Sequence, residues 1–234
     1  MRIYAIVPAR GGSTGLKNKN IRLLNGRPLI DYSIGFAKAL GVERIFCSTD
    51  SMEYAEVAKS CGAEVPFLRA AEAASGTAME QDILKDLYQA FKNHNILQPD
   101  LIVWLRPTFI FRSLPDVQAC IDLLASNPDM TAARTVCESE ARLYLVQNGM
   151  LFPDFDDQGK SMIRRQDIGS RYKVFSTDVI RAMDENTDDD FLGRRVGAII
   201  TDKICGLDID DETDFQIVEA VAAINSDRIR KLLH

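Results

Sequence analysis

The stretch that decides the fold is AIVPARGGSTGLKNKN, residues 5–20, in which an apolar run leads directly into glycines and then into lysines and asparagines. The run Ile3–Pro8 is rich in strand-forming residues, and the glycines after it predict a tight turn. Similar apolar runs follow at Arg44–Ser48, Ala63–Leu68 and Leu101–Leu105, with amphipathic stretches between them. Strands that alternate with helices over short connections predict an α/β fold with a parallel sheet covered on both faces.

Amphipathic periodicity predicts helices over four stretches, Arg27–Leu40, Ser51–Cys61, Met79–His94 and Leu114–Ser126. Near the C-terminus we predict strands at Val196–Ile200 and Ile204–Ile209, followed by a long helix that begins at about Glu212. Asp211 is a suitable N-cap for that helix, because its short carboxylate accepts hydrogen bonds from the first backbone N–H groups. The buried stripe of the helix would comprise Phe215, Val218, Val221 and Ala222.

The alternation of strands and helices breaks down between residues 141 and 172. The sequence RLYLVQNGMLFPDF, residues 142–155, predicts a hairpin that turns at Asn148 and Gly149, and the polar segment DDQGKSMIRRQD follows it. We interpret residues 141–172 as an arm inserted in a single domain that spans residues 1–234. Arms of this kind often reach a neighbouring subunit, so we expect a homodimer.

Composition excludes several classes of protein. A formal net charge of −6 argues against nucleic acid or an anionic membrane as the main partner. No apolar run reaches the roughly 18 residues that a membrane span needs, and the opening residues lack the apolar core of a signal peptide, so we expect a cytoplasmic protein. The five cysteines are odd in number and form no CxxC pair, which favours reduced thiols over a disulfide framework or a zinc site.

The glycine-rich loop after the first strand matches neither of two familiar phosphate-binding motifs. A P-loop requires Lys-Ser or Lys-Thr after its last glycine, and Gly15 is followed by neither, while the GxGxxG dinucleotide fingerprint is absent too. What remains is a glycine turn bracketed by Arg10, Lys17, Lys19 and Arg22. Such charges suit a triphosphate, although the glycines alone are equally compatible with a solvated basic turn.

The sequence resembles the acylneuraminate cytidylyltransferases, also called CMP-sialic acid synthetases. The stretch IVPARGGSTGLKNKNIRLLNGRPLI, residues 6–30, is similar to the family's ARxGSKG(I/L)xxKN followed by a Gly-(Lys/Arg)-Pro-Leu-(Ile/Leu) helix entry. Further similar segments follow in the family's order, namely CSTD at 47–50, RAAEAASGT at 69–77, LRPTFIFR at 105–112, RRQD at 164–167 and LDIDDETDF at 207–215. The resemblance implies a Rossmann-like nucleotidyltransferase sandwich with a mostly parallel sheet and a small dimerisation arm.

The resemblance also implies a reaction, in which CTP and a 2-keto-3-deoxy sugar acid form a CMP-sugar and release pyrophosphate. Arg10 and Lys19 would be catalytic by neutralising charge on the phosphates, and no covalent enzyme intermediate is required. The implied nucleotide-binding residues are Ala9, Arg10, Gly11, Gly12, Ser13, Lys19, Asn20, Arg69 and Thr77. Three positions depart from the family pattern, because Thr14, Ala70 and Gly76 stand where Lys, Pro and Asp are usual.

Two carboxylates near the C-terminus are the candidate metal ligands and are predicted to be catalytic through that metal. Asp208 and Asp210 lie two apart on a predicted strand, so their side chains would project from the same face. Paired carboxylates opposite phosphates suit Mg²⁺, which takes a few protein oxygens and completes its shell with substrate and water. A solvated acidic turn is the simpler alternative for this segment alone, and the basic loop at residues 10–22 favours the metal site.

The implied sugar-binding residues are Arg106, Thr108, Arg164, Arg165 and Gln166. Arg165, or Arg164 in its place, would pair with the sugar carboxylate through two parallel hydrogen bonds. Arg106 stands where the family commonly has Gln and would either add a second such contact or brace its loop, while Thr108 would donate a hydrogen bond to the sugar. The chain also continues after RRQD as IGSRYKVFSTDVIRA, residues 168–182, without the family's Asn-Gly element.

These departures concentrate in the acceptor pocket and favour the same reaction on a different sugar acid. Legionaminic acid, pseudaminic acid and an eight-carbon acid are candidates, and N-acetylneuraminate remains one. Three other functions stay open: a nucleotidyltransferase that uses a sugar phosphate, a nucleotide-binding homologue that has lost turnover, and a glycosyltransferase. Retention of Asp208 and Asp210 speaks against the second, and their position just before the last helix against the third.

Overall fold

The computed structural model of the chain describes residues 1–12, 15–160, 163–182 and 190–226. The strands in these ranges are β1 Ile3–Pro8, β2 Leu23–Leu24, β3 Arg27–Pro28, β4 Arg44–Ser48, β5 Leu101–Leu105, β6 Ala132–Ser139, β7 Tyr144–Gln147, β8 Met150–Pro153, β9 Arg171–Lys173, β10 Thr177–Arg181 and β11 Val196–Thr201. The α-helices are α1 Leu29–Leu40, α2 Met52–Ser60, α3 Glu80–Asn93, α4 Leu114–Ser126 and α5 Glu212–Ile224. Three short 3-10 helices cover Lys19–Ile21, Arg165–Asp167 and Lys203–Gly206.

One seven-stranded sheet forms the centre of the molecule. Its strands follow the order β11-β6-β10-β5-β1-β4, with β9 paired to β6. The strand β10 runs antiparallel to both β5 and β6, so β6 and its parallel neighbour β11 point the same way as β5, β1 and β4. Five strands therefore share one direction, and the predicted α/β fold with a mostly parallel sheet is confirmed.

The two faces of the sheet bury different residues because side chains alternate along each strand. Ala5 and Val7 of β1 face the helices α1, α2 and α4, while Tyr4 and Ile6 face α3. A third apolar cluster joins the two ends of the chain. In it, Phe215, Val218 and Ala222 of α5 pack against residues of the first 32 positions, including Leu24, Leu29 and Tyr32. This packing brings the segment before α5 next to the glycine-rich loop.

Several predicted elements agree closely with the structure. The strands β1, β4 and β5, and the helix α4, have the predicted bounds. Ser51 caps α2 by accepting a hydrogen bond from the Tyr54 N–H, and Asp211 caps α5 with a reciprocal bond to Asp214. The helix predicted from Arg27 begins at Leu29, because Arg27 and Pro28 pair with β2 instead.

Two predicted strands are wrong. Residues 63–68 form no strand and make only one isolated bridge, between Phe46 and Glu64, before Pro66 removes the next backbone donor. The prediction of a strand at Ile204–Ile209 fails because Asp202 accepts a hydrogen bond from the Ile204 N–H and starts a 3-10 helix. The strands β6 and β10 were not predicted, since polar residues such as Arg134 and Asp178 interrupt their apolar pattern.

The predicted hairpin is confirmed and forms a sheet of its own. The strands β7 and β8 pair from Tyr144 opposite Pro153 to Gln147 opposite Met150. Both turn residues are left-handed, with φ 51° at Asn148 and 77° at Gly149, as the twist of a two-residue hairpin loop requires. All eight strand residues are exposed. Within the described ranges, no helix has the length and apolarity to span a bilayer.

Candidate active site

A cavity of about 360 Å³ lies at the edge where the parallel strands β1, β4 and β5 end. Its lining includes four predicted cationic residues, Arg10, Lys19, Arg69 and Arg106, together with Asn20 and Thr108. Ligands of open α/β sheets bind outside the carboxyl ends of the strands. The structure therefore brings six of the predicted site residues to the position where such a sheet binds its ligand.

Backbone contacts with neighbouring strands hold the glycine-rich loop in place. The Ala9 N–H donates to the Ser48 carbonyl at 2.9 Å, and the Gly11 N–H donates to Asp50 Oδ1 at 2.8 Å. The Asn20 amide donates to the Arg10 carbonyl at 3.1 Å, so the Asn20 side chain links the two ends of the loop. Gly12 is left-handed, with φ 70°; the predicted nucleotide-binding residue Ser13, and Thr14 after it, lie outside the described residues.

The N-terminal loop and the C-terminal acids meet directly. Lys19 Nζ lies 3.1 Å from Asp210 Oδ1, with the lysine largely buried and the aspartate 74% exposed. The backbone is equally close, since a Cβ at Gly15 would lie 2.6 Å from the Asp210 carbonyl oxygen. Beside this contact, Arg22 and Glu212 form a two-bond ion pair at 2.6 and 2.8 Å. The predicted convergence of basic loop and acidic segment is therefore present.

Asp208 is half-buried beside the cavity. Burial raises the pKa of its carboxyl, and the charge of Asp210 raises it further, while a hydrogen bond from Thr108 and the charges of Lys173 and Lys19 oppose the rise. Its Oδ1 is buried and has no hydrogen-bond partner within the part of the chain that the structure describes. An unpartnered carboxylate oxygen next to cationic groups is a suitable ligand for a substrate-borne cation.

The reason for the placement of the two acids differs from the prediction. Residues 207–210 are not a strand, but the buried Ile209 still separates Asp208 from Asp210 and packs into the cluster beneath α5. Thr108 was predicted to donate to the sugar; in the structure it lines the cavity, and its hydroxyl lowers the pKa of the neighbouring Asp208.

The two predicted arginines at the sides of the cavity have different roles. Arg69 is buried, and it donates from Nε to the Ser48 hydroxyl at 3.0 Å and from Nη2 to the Ser48 carbonyl at 2.6 Å. Burial accordingly lowers its pKa. Arg10 is less confined and donates to the Ser75 carbonyl at 2.8 Å. Thr77 lines a neighbouring cavity of about 440 Å³ rather than this one.

Arg106 acts as a brace. Its Nε and Nη2 both donate to Glu80 Oε1, at 3.0 and 2.9 Å, and its Nη1 donates to Asp178 Oδ2 and to the Phe175 carbonyl. Asp178 is fully buried and also accepts from Arg134. Of the two roles left open for Arg106, contact with a sugar carboxylate and bracing of its loop, the structure favours bracing.

Of the predicted sugar-binding residues of the arm, Arg164 and Gln166 are not part of the cavity lining in the single chain. Arg164 is exposed and pairs with Asp167 at 3.0 Å, and Gln166 is exposed. Arg165 begins the 3-10 helix that precedes β9. Sequence reasoning also missed residues that shape the site, notably Glu80 and Asp178. Arg112 also shapes the site, because its Nη2 donates to the Arg106 carbonyl at 2.6 Å. The segment LRPTFIFR ends at Arg112, and its resemblance to the family pattern was the sequence signal for this residue.

The fold and the site together define a nucleotide-binding α/β protein with a cation-lined crevice. The sequence profile of the family described as cytidylyltransferase matches residues 4–193. The chain is 31% identical to the Post-translational flagellin modification protein B of Campylobacter coli over 93% of both chains. It is 29% identical to the CMP-N,N'-diacetyllegionaminic acid synthase of Campylobacter jejuni over 96% of both chains.

Among solved structures, the chain is similar to CMP:2-keto-3-deoxy-manno-octonic acid synthetase complexed with CTP. The TM-score is 0.67 and the sequence identity 14%, over 96% of this chain and 100% of the other, which shows a shared fold. The chain belongs to the cytidylyltransferase family.

Proposed function

We propose that the protein transfers CMP from CTP to the anomeric hydroxyl of a 2-keto-3-deoxy sugar acid and releases pyrophosphate. The observation that carries this proposal is the 3.1 Å contact between Lys19 and Asp210 at a cavity lined by Arg10, Arg69 and Arg106. The names of the similar proteins, which include a CMP-sugar acid synthase, support the same reaction. A cytoplasmic location is part of the proposal, because the proposed reaction consumes CTP.

In this reaction the sugar hydroxyl oxygen forms a bond to the α-phosphorus as the bond from that phosphorus to the bridging oxygen breaks. The departing pyrophosphate carries the electron pair, and the hydroxyl proton passes to solvent. Arg10 and Lys19 stabilise the charge that builds on the transferred and leaving groups, because both line the cavity next to the glycine-rich loop. Asn20 and Arg69 hold the loop and the β4 edge in the shape that receives the nucleotide.

A Mg²⁺ ion bound by Asp208 and Asp210 is part of the proposal. The residues fit the ion, since Asp208 Oδ1 is unpartnered and Asp210 is exposed beside it. No group of three His, Cys, Asp or Glu side chains converges among the described residues, which suits a cation that takes most ligands from water and phosphate. When bound, the ion would polarise the phosphoryl oxygen and assist loss of the hydroxyl proton.

The acceptor is proposed to be a sialic-acid-like sugar acid such as a legionaminic or pseudaminic acid. Arg165 or Arg164 would bind its carboxylate from the arm, and the exposed apolar residues of β7 and β8 would pack against a second copy of the chain. A homodimer would thereby bring the arm of one copy close to the candidate active site of the other. A sugar-phosphate acceptor is less well supported, because Arg106 is already paired with Glu80 and Asp178.

The proposal is tested by incubating the protein with Mg²⁺, CTP and a panel of sugar acids and sugar phosphates, and measuring pyrophosphate release. Release with CTP and a keto sugar acid, and not with a sugar phosphate, is the expected result. Release only with a sugar phosphate would replace the proposed acceptor class. Tight CTP binding without release across the panel would identify a homologue that has lost turnover.

A further inference from the structure

Glu80 is the one acidic residue among the described residues that line the 360 Å³ cavity of the candidate active site, and the proposed function gives it no role. It is the first residue of α3, and its side chain is one-third exposed. The same lining carries Arg10, Lys19, Arg69 and Arg106. A carboxylate in a cavity proposed to hold two anionic substrates repels them unless a cation compensates its charge. It can favour binding only if its oxygens accept hydrogen bonds from the substrate.

The charge of Glu80 is compensated by Arg106. Two N–H groups of that guanidinium donate to Glu80 Oε1, whereas Oε2 accepts no hydrogen bond in the described part of the chain. The opposite side of the guanidinium is held by Asp178 and by the Phe175 carbonyl. Asp178 is also paired with Arg134, so the charges of the four residues balance. Glu80 is held in one orientation, and within the described part of the chain one of its carboxylate oxygens has no hydrogen-bond partner.

The position of Glu80 assigns it to the acceptor. Along the sheet, Arg106 follows β5, Arg10 follows β1, and Arg69 is fastened to the end of β4. The proposed function puts the triphosphate on the loop after β1, and the nucleotide would then occupy the β1–β4 side of the cavity. Glu80, bonded to Arg106, then lies on the β5 side, where the sugar acid must approach the α-phosphorus.

We infer that Glu80 is a specificity-determining residue whose Oε2 accepts a hydrogen bond from a neutral donor, a hydroxyl or an amide N–H, of the sugar acid. This inference rests on the proposed function. The donor is neutral because Arg106 already balances the carboxylate, and the carboxylate of the sugar would be repelled. A site built to bond one donor discriminates strongly against analogues that lack it, since the protein oxygen is then left unpaired.

The test is Glu80→Gln. Glutamine keeps an oxygen for Arg106 and replaces the second oxygen with an NH₂ group, which faces the substrate donor with another donor. We expect kcat/KM for the preferred sugar acid to fall about 10–100-fold, as for loss of a hydrogen bond to a charged group. The KM for CTP should stay within about twofold. N-acetylneuraminate and 3-deoxy-octulosonate, which lacks amide groups, serve as the two acceptor probes.

The two probes identify the donor. A fall confined to N-acetylneuraminate indicates its amide N–H, and an equal fall for both indicates a hydroxyl that they share. Asp82→Asn is the matched control, because Asp82 lies in the same helical turn and faces the neighbouring cavity. It should leave kcat/KM for both acids within about twofold of the wild-type value.

Other results overturn the inference. Unchanged kcat/KM for both acids in Glu80→Gln, with pyrophosphate release intact, refutes the role of Glu80 and leaves the proposed function standing. A changed KM for CTP, or a changed preference between CTP and UTP, would show that Glu80 contacts the nucleotide and not the sugar acid. A lowered melting midpoint, with equal losses of kcat/KM for CTP and for the sugar acids, would show that Glu80 only stabilises the structure. A wild-type protein that neither binds nor converts any sugar acid refutes the proposed function, and this inference with it.

Discussion

The two sides of the cavity are held in different ways. On the nucleotide side, backbone groups take part in the contacts beside the Lys19–Asp210 ion pair, since the Gly15 backbone lies against the Asp210 carbonyl and the Arg10 carbonyl accepts from the Asn20 amide. On the acceptor side, the contacts are ion pairs between the side chains of Arg106, Glu80 and Asp178. Side-chain pairs change with single substitutions, whereas backbone contacts depend on the fold, so the acceptor side can change while the backbone contacts of the nucleotide side are kept.

The largest expected effect comes from Asp210→Asn. The substitution removes the carboxylate proposed to hold Mg²⁺ and leaves Lys19 without its ion-pair partner. We expect kcat to fall by about 10²–10³-fold or more, which is typical for loss of one charge-stabilising group, with the fold retained. Pyrophosphate release measures the loss, and circular dichroism checks the fold.

Glu212→Gln is the control for this substitution, since Glu212 is a nearby exposed carboxylate that pairs with Arg22 and not with Lys19. Its activity should remain near wild type. Full activity in Asp210→Asn would remove the metal assignment.

Adding a methyl group at Gly15 tests the backbone contact of the nucleotide side. In Gly15→Ala the new Cβ would lie 2.6 Å from the Asp210 carbonyl oxygen, which is too close, so the loop and the acidic segment must separate. We expect kcat/KM for CTP to fall roughly tenfold or more, because small misplacements of positioned groups are costly.

Gly149→Ala in the arm is the matched substitution. Gly149 has φ 77° but has no heavy atom within 4 Å of an added Cβ, so the cost is local strain of about 1 kcal/mol in an exposed turn. Its KM for CTP should be unchanged. Equal effects of the two substitutions on CTP would show that the contact between Gly15 and the Asp210 carbonyl does not position the glycine-rich loop for the nucleotide.

Charges on the arm test its proposed contact with a second copy. Val146 and Leu151 are 72% and 63% exposed, so Val146→Glu with Leu151→Glu should not disturb the core. We expect a dimer to dissociate in sedimentation, with kcat/KM for the sugar acid several-fold lower and the KM for CTP unaltered. A wild-type protein that is monomeric at micromolar concentration would refute the proposed dimer.

The smallest expected effect concerns stability without Mg²⁺. Burial raises the pKa of Asp208 in the folded state, so this group favours folding when it is protonated, below its unfolded pKa, and loses that contribution as pH rises through the folded pKa. Asp208→Asn should therefore raise the melting midpoint at neutral pH, and the difference from wild type should shrink toward pH values of about 4. A lower midpoint at neutral pH would show that Asp208 stabilises the fold.

The elements that sequence reasoning predicted best are those with a local cause. The strand β1 and the helix α4 have continuous apolar or amphipathic patterns, and Asp211 caps α5 through a bond to a residue three positions away. The false strand at Ile204–Ile209 had an apolar pattern too, but the local bond from Ile204 to Asp202 prevailed. The strand β10 was missed because its Asp178 is buried, and only its distant partners Arg106 and Arg134 make that burial favourable.

The sequence by itself determined the α/β fold, the glycine turn with its cations, the hairpin at Asn148 and Gly149, and the two acids, because each has a signal within a few residues. Only the tertiary structure decided that Lys19 touches Asp210, that Thr108 lies beside Asp208, and that Arg106 is held by Glu80. The physical reason is separation along the chain: Lys19 and Asp210 are 191 residues apart. Contacts over such separations depend on how the sheet and α5 pack, and no local pattern of residues contains that information.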